Sequence, residues 1–216
     1  MQGSPSLKDY KTVSDQSEIE IVISKSRFIG RCYPCSSEDD AISIIDSIRK
    51  KHWDASHNCF AYSIGSRGER ARFSDDGEPS GTAGAPMMEA IRNLGVTNVL
   101  CVVTRYFGGI LLGTGGLVRA YGRCCADTVR NANIVNMIEH EEYAFIMPYP
   151  MWAKLSDMFA YYGTIQETDF SDVVKVKVWI PAFTSEMFLH EVSERTDAKV
   201  LGERMAVSYR PYRENK

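Results

Sequence analysis

A chain of 216 residues with 44% hydrophobic and 25% charged residues has enough material for two small domains with separate cores, and its composition excludes a disordered or fibrous chain. A formal net charge of −3 excludes the broad basic face that sequence-independent wrapping of nucleic acid needs, so any RNA contact has to use a local patch. No apolar run approaches the roughly 20 residues that span a bilayer, and Met1-Gln2-Gly3-Ser4-Pro5 lacks a signal segment's basic and apolar parts, so the expected location is the cytoplasm, with no membrane partner.

The first dozen or so residues read as a loose lead-in. Ile19, Ile21 and Ile23 then alternate with Glu18, Glu20 and Val22, the period of a half-buried strand. Lys25-Ser26-Arg27 reads as a turn, and Phe28 to Tyr33 as the returning strand. A helix follows with clear punctuation: Ser36 or Ser37 caps it, Glu38, Asp39 and Asp40 suit its positive end, and Lys50 and Lys51 its negative end. Asn58 to Ile64 is strand-like, with a turn at Gly65 to Gly68 and a partner strand at Glu69 to Phe73. Ser74 to Pro86 offers almost nothing apolar to bury and reads as a surface loop, after which Pro86 opens a helix that Gly95 ends.

The stretch from Asn98 to Arg130 reads as strand, glycine-rich turn and helix. Val99 to Val103 is a continuous apolar run, the sign of a strand buried on both faces. Gly108, Gly109, Gly113, Gly115 and Gly116 follow, and Leu117, Ala120, Tyr121, Cys124 and Val129 form one helical stripe. Free amides at that helix start, with Arg105 and Arg119 near it, suit an anion; glycines between strand and helix also serve close packing alone. Neither the phosphate-loop lysine nor the third glycine of a dinucleotide motif is present. Asn131 to Glu139 reads as a link, and from His140 the order becomes strand (142–147), helix (150–162), strand (164–169), strand (173–180), helix (184–196), strand (200–208). That is the split βαβ order of a ferredoxin-like domain. This half carries 9 Lys plus Arg against 12 Asp plus Glu and no cluster of catalytic residue types, which fits recognition better than chemistry.

Six cysteines, at 32, 35, 59, 101, 124 and 125, include several inside expected core elements and do not form a secreted disulfide framework. Cys32-Tyr33-Pro34-Cys35 has redox spacing without a thioredoxin-type context, and no paired set of zinc ligands accompanies it. Asp75, Asp76 and Glu78 admit a magnesium reading, although acidic residues beside glycine and proline are ordinary turn formers, and no metal or cofactor is expected. Arg70 and Arg72 share a strand face, either as a phosphate-contacting patch or as a solvated edge. His57 could serve as base to Ser74, Ser80 or Cys59, but no nucleophile elbow or paired-histidine motif is present.

Three segments together resemble the IMPACT/YigZ family: Lys25 to Ile29, His57 to Tyr62, and above all Ser74 to Pro86 followed by Val103 to Tyr121. The resemblance implies an α+β protein. It further implies that residues 1–135 resemble domain two of small-subunit ribosomal protein five and domain four of elongation factor G, and that residues 140–216 form a ferredoxin-like domain similar to domain five of that factor. The family's eukaryotic namesake restrains a kinase response to uncharged tRNA; bacteria lack the kinase, and this layout matches bacterial members, so that role and any catalytic residues are not carried over. What remains is a translation-linked regulatory protein without enzymatic activity, whose expected partner is the ribosome, RNA or a ribosome-bound protein. The expected binding residues are Lys25, Arg27, His57, Asp75, Asp76, Glu78, Arg105, Tyr106, Gly108, Gly109, Gly115, Gly116 and Arg119. The alternative is a small-molecule or phosphoester enzyme with His57, Asp75, Asp76 and Arg105 in one cleft.

Overall fold

Residues 9–212 are described by a computed structural model, so the expectation placed on Met1 to Pro5 and most of the lead-in lie outside the described residues. The fold is α+β, with antiparallel pairing between the strands of two sheets, and the chain divides between Asn136 and Met137 into two compact units.

The first unit contains, in order, β1 (Tyr10–Val13), β2 (Ser17–Ile23), β3 (Ser26–Pro34), α1 (Glu38–Lys51), β4 (His57–Ile64), β5 (Arg70–Ser74), α2 (Gly84–Asn93), β6 (Val99–Tyr106) and α3 (Gly113–Asn131). Its sheet runs β2-β3-β6-β4-β5, with β6 in the centre. The apolar run of β6 is explained by what covers it. Val99, Cys101 and Val103 point to the side of α2 and α3, packing with Met87, Met88, Leu117 and Tyr121. Leu100 and Val102 point to the other side, against Ala41, Ile45 and Ile48 of α1. A strand sandwiched in this way has no face left for polar residues. Helix α1 starts as its punctuation predicts: Ser37 Oγ accepts from the Asp40 amide at 3.1 Å. Strand β5 is the sheet edge and Arg70 and Arg72 are exposed on it, which both readings of the pair expect.

Several boundaries differ from the sequence reading: the turn expected at Lys25-Ser26-Arg27 has already become β3 at Ser26, and the last strand, expected at 200–208, runs Gly202–Tyr212. Part of the lead-in is strand: β1 is pinned by the Thr97 amide donating to Lys11 O at 2.9 Å, and the Ser14 amide to Asn133 O at 3.0 Å. Helix α2 begins at Gly84, ahead of Pro86, because a carboxylate from upstream caps it, as described below. The expected link at Asn131 to Glu139 is mostly strand, since β7 starts at Ile134. The second unit continues through β7 (Ile134–Met147), α4 (Tyr149–Tyr162), β8 (Thr164–Phe170), β9 (Val174–Pro181), α5 (Ala182–Thr196) and β10 (Gly202–Tyr212). Here β7 lies between β9 and β10, and β8 is paired outside β9. Val174, Val176, Val178 and Ile180 of β9 pack against Phe159 of α4 and Phe188 of α5, so both helices cover the same face of this sheet.

Candidate functional site

Register sets the floor of the site. Arg105 on β6 stands opposite Phe28 on β3 and His57 on β4, and directly paired residues share a sheet face. That face is the one covered by α2 and α3, so Arg105 extends the buried row of Val99, Cys101 and Val103 and is only 5% exposed. A buried guanidinium requires a carboxylate. The loop after β5 supplies it: Arg105 Nη1 donates to Glu78 Oε1 at 2.6 Å, and the Tyr121 hydroxyl of α3 donates to the same oxygen at 2.7 Å. The second oxygen of Glu78 lies 3.8 Å from His57 Nε2. Arg105 also lies over the rings of Phe28 and Phe107, and its Nη2 reaches Ser26 Oγ at 3.4 Å, while its Nε is buried without a partner. Arg105, expected at the surface beside the helix start, is therefore an internal tie between the loop, the β2–β3 turn and α3.

The loop aspartates are also turned inward. Asp75 accepts three backbone amides, from Gly81 at 2.8 Å through one oxygen and from Ala83 at 3.0 Å and Gly84 at 2.8 Å through the other. This caps α2 from a distance, since Ala83 at its N-cap position has no side chain able to do so. Asp76 accepts from the Asn58 amide at 2.7 Å and from Arg49 at 2.8 Å, and its carbonyl receives His57 Nδ1 at 2.8 Å. These contacts leave the magnesium and cleft readings no free pair of aspartates, and among the described residues no group of three or more His, Cys, Asp or Glu is placed to hold a metal. Burial alone would push the Asp75 carboxyl up, but the amides of Gly81, Gly84 and Ala83 together outweigh it and hold it below its usual range. Asp75→Ala is expected to cost about 1–2 kcal/mol at neutral pH, the value of a lost helix cap. A depressed carboxyl stabilises above its unfolded pKa of about 4 and loses that contribution as pH falls through its folded value. Urea melts of the two chains should accordingly converge as the pH is taken below about 4.

The glycine turn separates into packing and conformational positions. A Cβ on Gly108 would lie 2.0 Å from the carbonyl carbon of Lys25, and the Gly108 amide donates to Ser26 Oγ at 3.1 Å, so Gly108 seats the turn against β2–β3. Gly109 and Gly113 have φ of +82° and +69° in open space. Gly115 is exposed in the first turn of α3, and Gly116 packs under Leu112. The start of α3 has no side-chain cap and no acidic residue in its first turn. Arg119 is exposed in the second turn of α3 and Lys25 is exposed against Gly108, whereas Arg27 is committed to Glu20 and stacks over Tyr106, whose hydroxyl contacts His52 and Asp54. Phe107, Ile110 and Leu111 are exposed on the turn, Leu111 at 87%. Of the expected residues, His57, Glu78 and Arg105 converge inside, and Lys25, Gly109, Gly115 and Arg119 lie outside. Ser26 and Tyr121 were not among them; a tyrosine in an apolar stripe demands a partner for its hydroxyl, and that was the available signal.

The model of the Impact N-terminal domain matches residues 24–129, which contain every expected site residue. The YvyE member of the IMPACT family from Bacillus subtilis (strain 168) is 37% identical over 194 residues, covering 89% of each chain. The chain belongs to the IMPACT family. The YigZ member from Escherichia coli (strain K12) is 37% identical over 163 residues, 74% of this chain and 80% of that one. Rat protein IMPACT is 33% identical over 98 residues, only 30% of its own length. A crystal structure described as that of a hypothetical protein aligns with a TM-score of 0.59 at 30% identity, covering 92% of this chain and 98% of the other. In this IMPACT chain the family-matched residues thus hold both the buried Glu78–Arg105–Tyr121 tie and the exposed turn.

Proposed function

We propose that this IMPACT chain is a translation-linked regulatory protein that binds the ribosome, RNA or a ribosome-associated partner through the turn between β6 and α3. The observation that carries this reading is the start of α3, which has no side-chain cap and no acidic residue in its first turn: with exposed Arg119 on the helix and exposed Lys25, Phe107, Ile110 and Leu111 on and against the turn, it suits a partner with an anionic backbone. Two finer fold assignments belong to the same proposal. The first unit corresponds to domain two of small-subunit ribosomal protein five and domain four of elongation factor G. The second is ferredoxin-like, for which its βαββαβ order and its β10-β7-β9-β8 strand sequence are the support. The enzyme alternative has less to stand on, because Asp75 and Asp76 are held by amides and Arg49, and Arg105 is paired with Glu78.

Pelleting with ribosomes at low salt is the expected result, lost as salt rises. Arg105→Ala is a poor probe, since it breaks a buried pair; a Lys25→Ala, Arg119→Ala chain is the informative variant. It should bind more weakly and reduce the log–log salt slope by about 2, as expected for two lost phosphate contacts. A wild-type chain absent from ribosomal and RNA fractions at every salt concentration overturns the proposal.

A further inference from the structure

The second unit contains a cavity of about 450 Å³, within the size range of small-molecule sites, lined by residues including His140, Tyr162, Thr164, Trp179, Arg210 and Tyr212. It lies where the outward residues at the end of β9 meet the C-terminal end of α4, whose Tyr162 and Gly163 also line it. Along β9 the outward positions Lys175 and Lys177 are exposed, as a solvated face requires, but the next outward residue, Trp179, is only 7% exposed. Thr164 stands opposite Trp179, and His140 opposite Pro181, on this same outward face. Arg210 of β10 lies over the Trp179 ring at 4.4 Å, and the indole N–H is held by Gln166.

Three features give the cavity a chemical preference. First, the Arg210 guanidinium is oriented by its stack on Trp179 but has no carboxylate among the described residues. Glu142, opposite Trp179 on this same face, makes no ion pair with Arg210 among the described residues, and Glu139 is engaged by Tyr209; Glu141, opposite inward Ile180, is engaged by Arg204 and Tyr143. A cation with no ion-pair partner among the described residues, held in a hollow, marks a place for an anion. Second, His140 Nδ1 faces the carbonyl of Ile138 at 3.0 Å, so it must carry the proton and Nε2 is left as an acceptor. Third, Tyr162, already packed on Phe188, and Tyr212, set edge-on to Phe183, leave part of their rings to the cavity as pre-positioned aromatic surface for a planar ring.

We propose that this cavity binds one nucleotide unit, with its base among Tyr162, Tyr212 and His140 and its phosphate on Arg210. The unit is either a free nucleotide or one residue of a single strand of RNA; the second source rests on the RNA reading above, the first does not. A proline-rich peptide would also suit an aromatic wall, but it would leave Arg210 without an anion.

Calorimetric titration of the full chain with ribonucleoside 5′-monophosphates, inorganic phosphate, a short single-stranded oligoribonucleotide and a proline-rich peptide tests this. Saturable binding of a monophosphate or the oligonucleotide, weakened about tenfold or more by Arg210→Ala, is the expected result. Arg210→Lys, which keeps the charge but not the flat stack, should fall between, and unchanged melting temperatures exclude unfolding as the cause. Binding of both ligands, or of the monophosphates alone, places a free nucleotide within the site's range; binding of the oligonucleotide alone assigns the strand. No binding of either, binding indifferent to Arg210, phosphate alone bound as tightly, or the peptide bound in their place overturns the proposal. A wild-type chain that pellets with ribosomes but takes no nucleotide leaves the earlier reading standing and removes this one; one that binds monophosphates but never pellets does the reverse.

Discussion

Replacing Glu78 with alanine is expected to destabilise the chain by about 3–5 kcal/mol, the cost of removing one partner from a buried ion pair. Both side chains are almost fully enclosed, and the variant would leave the Arg105 guanidinium and the Tyr121 hydroxyl without their shared acceptor. The Nε of Arg105 already lacks a partner, so no spare acceptor is at hand to take over. Replacing the pair together, as Glu78→Leu with Arg105→Met, should recover most of that loss, because apolar residues of similar volume avoid the desolvation that the ions incur. Urea denaturation of Glu78→Leu, Arg105→Met and the double variant measures this, and a strongly non-additive cycle is the expected outcome. A Glu78→Ala chain that loses under about 1 kcal/mol would show the pair to be solvated, as surface pairs are.

Gly108→Ala has the second largest expected effect, about 3 kcal/mol, at the upper end of overpacking costs. The added methyl carbon would meet the Lys25 carbonyl carbon, the Lys25 oxygen and the Ser26 nitrogen at 2.0, 2.1 and 2.4 Å, all backbone atoms that no rotamer change can move aside. Relief requires the turn to lift away, which also breaks the hydrogen bond from Gly108 to Ser26. The neighbouring Gly109→Ala is the control. Its φ of +82° strains an alanine, but its surroundings are open, so about 1–2 kcal/mol is expected. Equal losses at the two positions would show that conformation, not contact, governs the turn.

These two cases also mark where reading the residues succeeds and where it stops. The double-sided burial of β6 was legible because period and composition report which faces are covered. The start of α1 was legible because its cap lies three residues from the amide it serves. Arg105 was not, since its carboxylate lies 27 positions upstream in a loop that carries no periodicity. Asp75 escaped for the same reason: it caps a helix that begins nine residues later, and only the closed loop brings the two together. The strand β1 was hidden because its pairing with Val96 and its hydrogen bond to Asn133 come from far along the chain. For the exposed turn, sequence supplied the residues but could not separate Gly108, which packs, from Gly109, which bends.

All six cysteines are buried and none is bonded to another. Burial pushes the thiols of Cys59 and Cys124 up to about 12, so in the folded chain they are almost entirely in the unreactive protonated form. Unfolding changes that at a stroke, exposing six thiols of ordinary acidity to oxidants and electrophiles. Resistance of these thiols to oxidation is therefore a property of conformation: their chemical lifetime in an oxidising medium is set by how often the fold opens.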